Sequence, residues 1–244
     1  MPSAIPDRID LSIVVFAFNE QENVGPVLRE LVDWLRSNEH LSEIVFVDDG
    51  SSDQTTTHAE AALDGFPHTL VRHDVNRGIG AALKSGVAAA SGSWVTFMPA
   101  DGQIAPDAIG TLRAAADRDQ ADVVLSVYDH RDDGLHRKVL SWGVRSLILA
   151  IHGVRLHSDG PYLFRRTLFD PNQLKPDTFF LNFEFPIRVM AAGLRIGHVT
   201  IACRPRRAGL SKSASLHQVI GVAKDLVDLR VRRTRDAIGR LRGQ

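Results

Sequence analysis

The sequence predicts an α/β domain: a mostly parallel sheet flanked by helices, with a further helix at the C-terminal end. Three observations carry this. Apolar runs rich in β-branched residues recur at residues 12–16, 44–47, 69–72, 94–98 and 122–127. Segments with helical period lie between them. The runs themselves are almost wholly apolar rather than alternating, as expected of strands covered on both faces.

Taken in order, the first helix is marked by Val24, Val27, Leu28, Leu31, Val32 and Leu35, which fall on one face. Asn19 is read as its N-cap. Asp53 is read as the cap of the second helix, which runs to about residue 63, where Asp64-Gly65 stops it. The third, over 78–90, is built of small residues, so close packing on the sheet is expected. A fourth follows Pro106, which suits a first helical turn. The very apolar segment 135–154 reads as a helix carrying Arg137, Lys138 and Arg145. It suits a membrane interface, a place under the sheet or a dimer contact. Residues 216–241 read as a helix with an apolar stripe and an Arg-rich end, fit for docking on the body, pairing with a second copy or meeting anionic lipid.

Length and composition set the bounds. At 244 residues, with 44% hydrophobic and 24% charged residues, one ordinary globular core is expected. The formal charge is zero, which gives no ground for a nucleic-acid partner. From Arg204 onward there are eleven Lys and Arg against three Asp, so a basic tail follows an acidic body. We divide the chain into a flexible stretch 1–10, a catalytic-size domain 11–213 and a basic helix 214–244. Cys203 is the single cysteine, which rules out an internal disulfide and fits a reducing compartment. The first eleven residues have no signal-type apolar stretch. The most apolar window, 139–154, contains Arg145 and His152 and falls short of the ~20 residues a spanning helix needs. A cytoplasmic protein is expected, peripheral at the inner membrane face if a lipid is its partner.

In parallel sheets ligands bind beyond the carboxyl ends of the strands, so chemistry is sought there. The first run ends in Ala17-Phe18-Asn19-Glu20, the second in Val47-Asp48-Asp49-Gly50-Ser51-Ser52-Asp53, the fourth in Pro99-Ala100-Asp101-Gly102-Gln103. Three carboxylate-bearing turns on one rim make an acidic crevice able to take ribose hydroxyls and one divalent metal through hard oxygen ligands. Asp49 and Asp101 are the candidates; Asp53 is better explained as a cap. The run Asn76-Arg77-Gly78-Ile79-Gly80 lacks the third small residue of a dinucleotide fingerprint and follows the wrong strand. Its small residues suit close approach to a ligand or to another loop.

Together these turns, with Gly80-Ala81-Ala82-Leu83-Lys84-Ser85-Gly86, Glu184, Ile187-Arg188, Gly193-Leu194-Arg195-Ile196 and Arg206-Arg207-Ala208-Gly209-Leu210-Ser211-Lys212, resemble glycosyltransferase family 2. In order and spacing they are most similar to its dolichyl- and polyprenyl-phosphate sugar synthase branch, over residues 11–213. The resemblance implies a GT-A fold and inverting transfer of a sugar from a nucleoside diphosphate, with Mg or Mn as cofactor. It implies that Phe18 and Glu20 flank the base, with Ala17, Val47 and Ala100 in the same donor-binding turns, and that Asp49 binds base or ribose. Asp101 would ligate the metal beside Gln103, and Arg206 and Lys212 would close over the diphosphate. Metal, Arg and Lys there would stabilise the charge that grows on the leaving group.

The acceptor stays open between a polyprenyl phosphate and a hydroxyl. A phosphate monoester, with its second pKa near ~6, is already an anionic nucleophile at neutral pH. A hydroxyl needs a base, for which Glu184, between aromatics, is the candidate. Several positions depart from the family pattern: Pro99 replaces the first acid before Gly102, Phe16 and Phe18 replace Pro and Tyr, and Val127 stands for an expected Arg. Arg131 or Arg137 are candidates to substitute for that Arg. The lost acid also leaves room for a nucleotide-sugar-binding module without turnover. A nucleotidyltransferase would carry a Gly-rich loop after the first strand, and there is none.

Overall fold

The computed structural model describes residues 9–38, 41–129, 135–207, 222 and 224–235. Four βα units come first: β1 (Leu11–Ala17), α1 (Val24–Arg36), β2 (Ser42–Asp48), α2 (Thr55–Leu63), β3 (His68–Arg72), α3 (Ile79–Ala89), β4 (Trp94–Pro99) and α4 (Asp107–Arg118). Then follow β5 (Val123–Tyr128), α5 (Leu135–His152), β6 (Tyr162–Arg165), a short 3-10 turn, α6 (Leu181–Ala191) and β7 (Ile196–Ile201). Residues 224–235 are helical as well.

The seven strands stand in the order β3-β2-β1-β4-β6-β5-β7. All pairings are parallel except those of β6, which runs antiparallel to both β4 and β5. The expected strands are thus all present, each within a residue or two of its expected ends. Alternate residues of one strand face opposite layers: Ile13 and Val15 join a core with α1, α2 and α4, whereas Val14 joins one with α3, α5 and α6. This is the two-sided burial that the unbroken apolar runs require.

The small-residue helix α3 lies very close to the sheet. A Cβ on Gly86 would come within 2.3 Å of Val14 Cγ1, so only glycine permits this approach. Helix α5 is mixed in its surroundings: Val144 and Ile148 are buried, while Trp142 is 72% exposed and Leu149 is also exposed. Its end meets the C-terminal helix, where His152 Nε2 lies 3.1 Å from the Leu226 carbonyl and Val222, Leu226 and Leu229 are buried. Among the described residues no helix is long and apolar enough to cross a membrane.

One expectation is corrected. Asn19 does not cap α1, which begins at Val24 after Asn23. Asn19 instead adopts the left-handed conformation (φ 52°) that Asn tolerates, and its Oδ1 accepts from Ser52 N at 2.9 Å. Asp53 does act at the head of α2, where its Oδ1 accepts from Thr55 N at 3.0 Å.

Candidate active site

The strand order reverses at β1, whose neighbours are β2 on one side and β4 on the other. A crevice therefore opens beyond the carboxyl ends of β1 and β4, the usual ligand position in such sheets. The turns after β1, β2 and β4 all meet at this rim.

The first two turns are zipped together. Asn19 N donates to Ser51 Oγ at 2.9 Å, Glu20 N to Thr55 Oγ1 at 2.9 Å, and Gln54 N to Gln21 Oε1 at 3.1 Å. Buried Asp48 accepts from Ser51 N at 2.8 Å and from the Thr56 hydroxyl. Asp49 reaches the other way. Its Oδ1 accepts from Arg77 N at 2.9 Å and its Oδ2 from Gly78 N at 2.8 Å, so this carboxylate holds the turn that leads into α3. Gly50 (φ 77°) lets the two loops touch, since a Cβ there would lie 2.4 Å from the Val75 carbonyl carbon.

At the third turn Asp101 is 5% exposed. Its Oδ1 accepts from Gln103 N at 3.0 Å, and its Oδ2 from Arg206 Nη2 at 3.0 Å. The other terminal nitrogen, Arg206 Nη1, lies 3.2 Å from Glu20 Oε1. One guanidinium thus spans the crevice between the β1 and β4 turns, and its Nε is buried with no hydrogen-bond partner among the described residues. The segment after β7 is laid over the β4 turn by Arg204 N to the Gln103 carbonyl at 2.8 Å and is tied to α1 by Arg204 and Arg207 on Glu30. Gly102 (φ 78°) makes room for it, as a Cβ would meet Arg207 Cγ at 2.9 Å.

Of the residues expected at the site, Glu20, Asp101, Gln103 and Arg206 converge here, and Asp49 stands one turn away. Ala17 and Ala100 are buried at the ends of their strands, tied to the turns by Asp49 N on the Ala17 carbonyl and Ala100 N on that of Phe16. Phe18 lies in the β1 turn, and the Val47 side chain is fully in the core beside Val14. Lys212 and Arg131 lie outside the described residues, as does the boundary at 213–214.

Glu184 belongs to a different contact. It is 0% exposed, and its carboxylate accepts from Arg188 Nε at 2.9 Å and from Arg232 Nη1 and Nη2 at 2.9 and 3.0 Å. It ties α6 to the C-terminal helix. The Asn76–Gly80 run also takes the second of its two expected uses: Ala81 N donates to the Asp177 carbonyl at 3.1 Å, so another loop covers the start of α3.

Two participants were missed. His73, just past β3, sits between Asp49 Oδ1 (2.7 Å from Nδ1) and Ser85 Oγ (2.9 Å from Nε2), and it is buried. The signal was available, since His73 occupies the strand-end position that singled out the other turns. Glu30 was missed because its place on α1 gives no hint of a partner near residue 204.

The family model for glycosyl transferase family 2 matches residues 12–195. A dodecaprenyl-phosphate galacturonate synthase of Rhizobium johnstonii is 31% identical over 84% of this chain. An undecaprenyl-phosphate 4-deoxy-4-formamido-L-arabinose transferase of Sodalis glossinidius is 33% identical over 68% of it. The chain spans only 62% and 52% of the length of these two relatives. A Mycobacterium tuberculosis glucosyl-3-phosphoglycerate synthase, solved with Mn2+, uridine diphosphate and glucosyl-3-phosphoglycerate, shares the fold. The TM-score is 0.69 at 21% identity, over 92% of this chain and 79% of that one. The same enzyme has been solved with Mg2+ and uridine diphosphate. The zipped turns at the switch point, the acid that survives at position 101 and these matches lead to one conclusion: the chain belongs to glycosyl transferase family 2 and has the GT-A fold.

Proposed function

We propose that this chain transfers a sugar, with inversion, from a nucleoside diphosphate donor to a polyprenyl phosphate. The observation that carries the reading is the pair Asp101–Arg206 at the crevice mouth, 3.0 Å apart beyond β1 and β4. A carboxylate able to hold a divalent ion and a guanidinium are two groups suited to a diphosphate leaving group. The names of the relatives support the acceptor.

The donor nucleoside lies along the β1 and β2 turns, where Phe18, Glu20 and the Asp49-bound turn line its path. Asp101, with Gln103 beside it, would hold Mg or Mn. The residues fit such an ion: Asp101 and Glu20 offer hard carboxylate oxygens, and those oxygens already hold a cation, the Arg206 guanidinium. When bound, the metal would supply Lewis-acid neutralisation of the diphosphate. Arg206, and Lys212 beyond it, add positive charge where negative charge grows as the bond from the sugar C1 to the diphosphate oxygen breaks. A phosphate oxygen of the acceptor forms the new bond to C1 from the opposite face, and the nucleoside diphosphate leaves.

A phosphate nucleophile needs no base. This accords with Glu184, the best base candidate, having both oxygens bound to Arg188 and Arg232. The exposed Trp142 and Leu149 on α5, with Arg145, suit peripheral contact at a membrane face where a lipid acceptor resides.

The test is transfer from labelled nucleoside diphosphate sugars, with Mn2+, to undecaprenyl phosphate in detergent. Label extracted into organic solvent as a glycosyl phospholipid is the expected result. Donor turnover that yields only water-soluble glycoside would defeat the lipid acceptor.

A further inference from the structure

The turn after β4 retains one acid, Asp101, because Pro99 stands where the family pattern has another. The structure nevertheless sets a second carboxylate at the same cation. Arg206 Nη1 and Nη2 reach Glu20 Oε1 and Asp101 Oδ2 at 3.2 and 3.0 Å, both acids are largely buried, and Arg206 is itself mostly covered. Glu20 is fixed from behind by Asn23 Nδ2 at 2.6 Å and by its own N–H on Thr55.

We infer that Glu20 is the second carboxylate of the metal site, and that Arg206 is an internal cation occupying that site until metal and diphosphate arrive together. The inference rests on the metal-assisted reading above. Its physical basis is charge matching. Two nearby carboxylates in a part-buried crevice require a counter-cation, and a guanidinium is a serviceable but exchangeable one. A divalent ion alone must break both ion pairs of Arg206 without giving the guanidinium an anion in return, so it binds poorly. A nucleoside diphosphate supplies that anion. The guanidinium then turns to the phosphates, leaving Glu20 and Asp101 to the metal. Arg206 Nε, buried with no hydrogen-bond partner among the described residues, is the donor that a phosphate oxygen would satisfy.

Three expectations follow for Mn2+ binding, read by the paramagnetic resonance signal of free Mn2+ without any turnover. Wild type binds Mn2+ weakly alone and more tightly with uridine diphosphate. Arg206→Gln binds Mn2+ alone about tenfold or more tighter than wild type, because a repelling charge next to the ion is gone. It gains little from uridine diphosphate. Adding Glu20→Gln to Arg206→Gln removes the gain. Arg206→Lys, which keeps the charge but not the fork, guards against a folding artefact and should stay near wild type without nucleotide. If Arg206→Gln binds Mn2+ alone no better than wild type, while wild type binds it with uridine diphosphate, the inference is overturned and the metal reading survives. If the gain persists in the double variant, Glu20 is not a ligand. If wild type binds no Mn2+ even with nucleotide, the metal-assisted reading falls and the inference with it.

Discussion

His73 and Asp49 share a hydrogen bond of 2.7 Å between Nδ1 and Oδ1, with both side chains buried. The carboxylate of Asp49 is therefore positioned by three donors, one from the end of β3 and two from the turn into α3. Its first task is to fix the shape of the crevice wall.

Asp49→Ala is accordingly expected to act twice. It strips acceptors from Arg77 N and Gly78 N, costing about 1–3 kcal/mol of stability in urea unfolding. It also weakens binding of the free nucleoside diphosphate by roughly 1.5–3 kcal/mol. Calorimetry with unchanged affinity would place the nucleotide away from this wall.

Asp101→Asn keeps the volume of the side chain and its bond to Gln103 but removes the charge. We expect a fall in kcat of at least ~10²-fold, the scale of losing transition-state charge stabilisation, with little change in melting temperature. A rate near wild type at saturating Mn2+ would remove Asp101 from the metal site.

Glu184→Gln tests the acceptor. The acid is fully buried but Arg188 and Arg232 are partly exposed, so the loss of stability should fall below the 3–5 kcal/mol of a wholly buried pair, at about 2 kcal/mol. With polyprenyl phosphate as acceptor, kcat should change little in the folded fraction. A fall of ~10²–10⁴-fold would mark Glu184 as a general base and favour a hydroxyl nucleophile.

Stability should also depend on pH through His152. Burial pulls this imidazole below its ordinary value of 6.5, and Arg233 beside it adds to the effect against the Leu226 carbonyl. The folded state thus resists protonation more than the unfolded chain. Stability from this group is full above pH 6.5 and declines as pH falls from there through the lowered value. Urea unfolding at pH 7.5 and 5.5 should show a loss on acidification that is smaller in His152→Gln. An equal loss in both would assign the pH dependence elsewhere.

Much of this was legible in the sequence because the relevant signals are local. The strands announce themselves by apolar runs, and Asp49 and Asp101 by their place after them. What escaped was long-range or ambiguous. Asn19 has the chemistry of a cap and of a left-handed turn alike, and only the partner loop bearing Ser51 and Ser52 decides between them. The grip of Arg232 on Glu184 joins residues 48 apart, and that of Arg206 on Glu20 residues 186 apart. β6, only four residues long and reversed, gave no periodic signal of its own.

That reversed strand bears on how the chain assembles. β1 to β4 pair among themselves before β4 meets β6, but β5 has no neighbour made before it, for β6 and β7 flank it and both come later. Until residue 162 or so is in place, β4 has an unpaired edge on the side that β6 covers in the finished sheet. Joining the halves pairs strands more than sixty residues apart, and an edge left open before that is the kind of template on which another copy can pair.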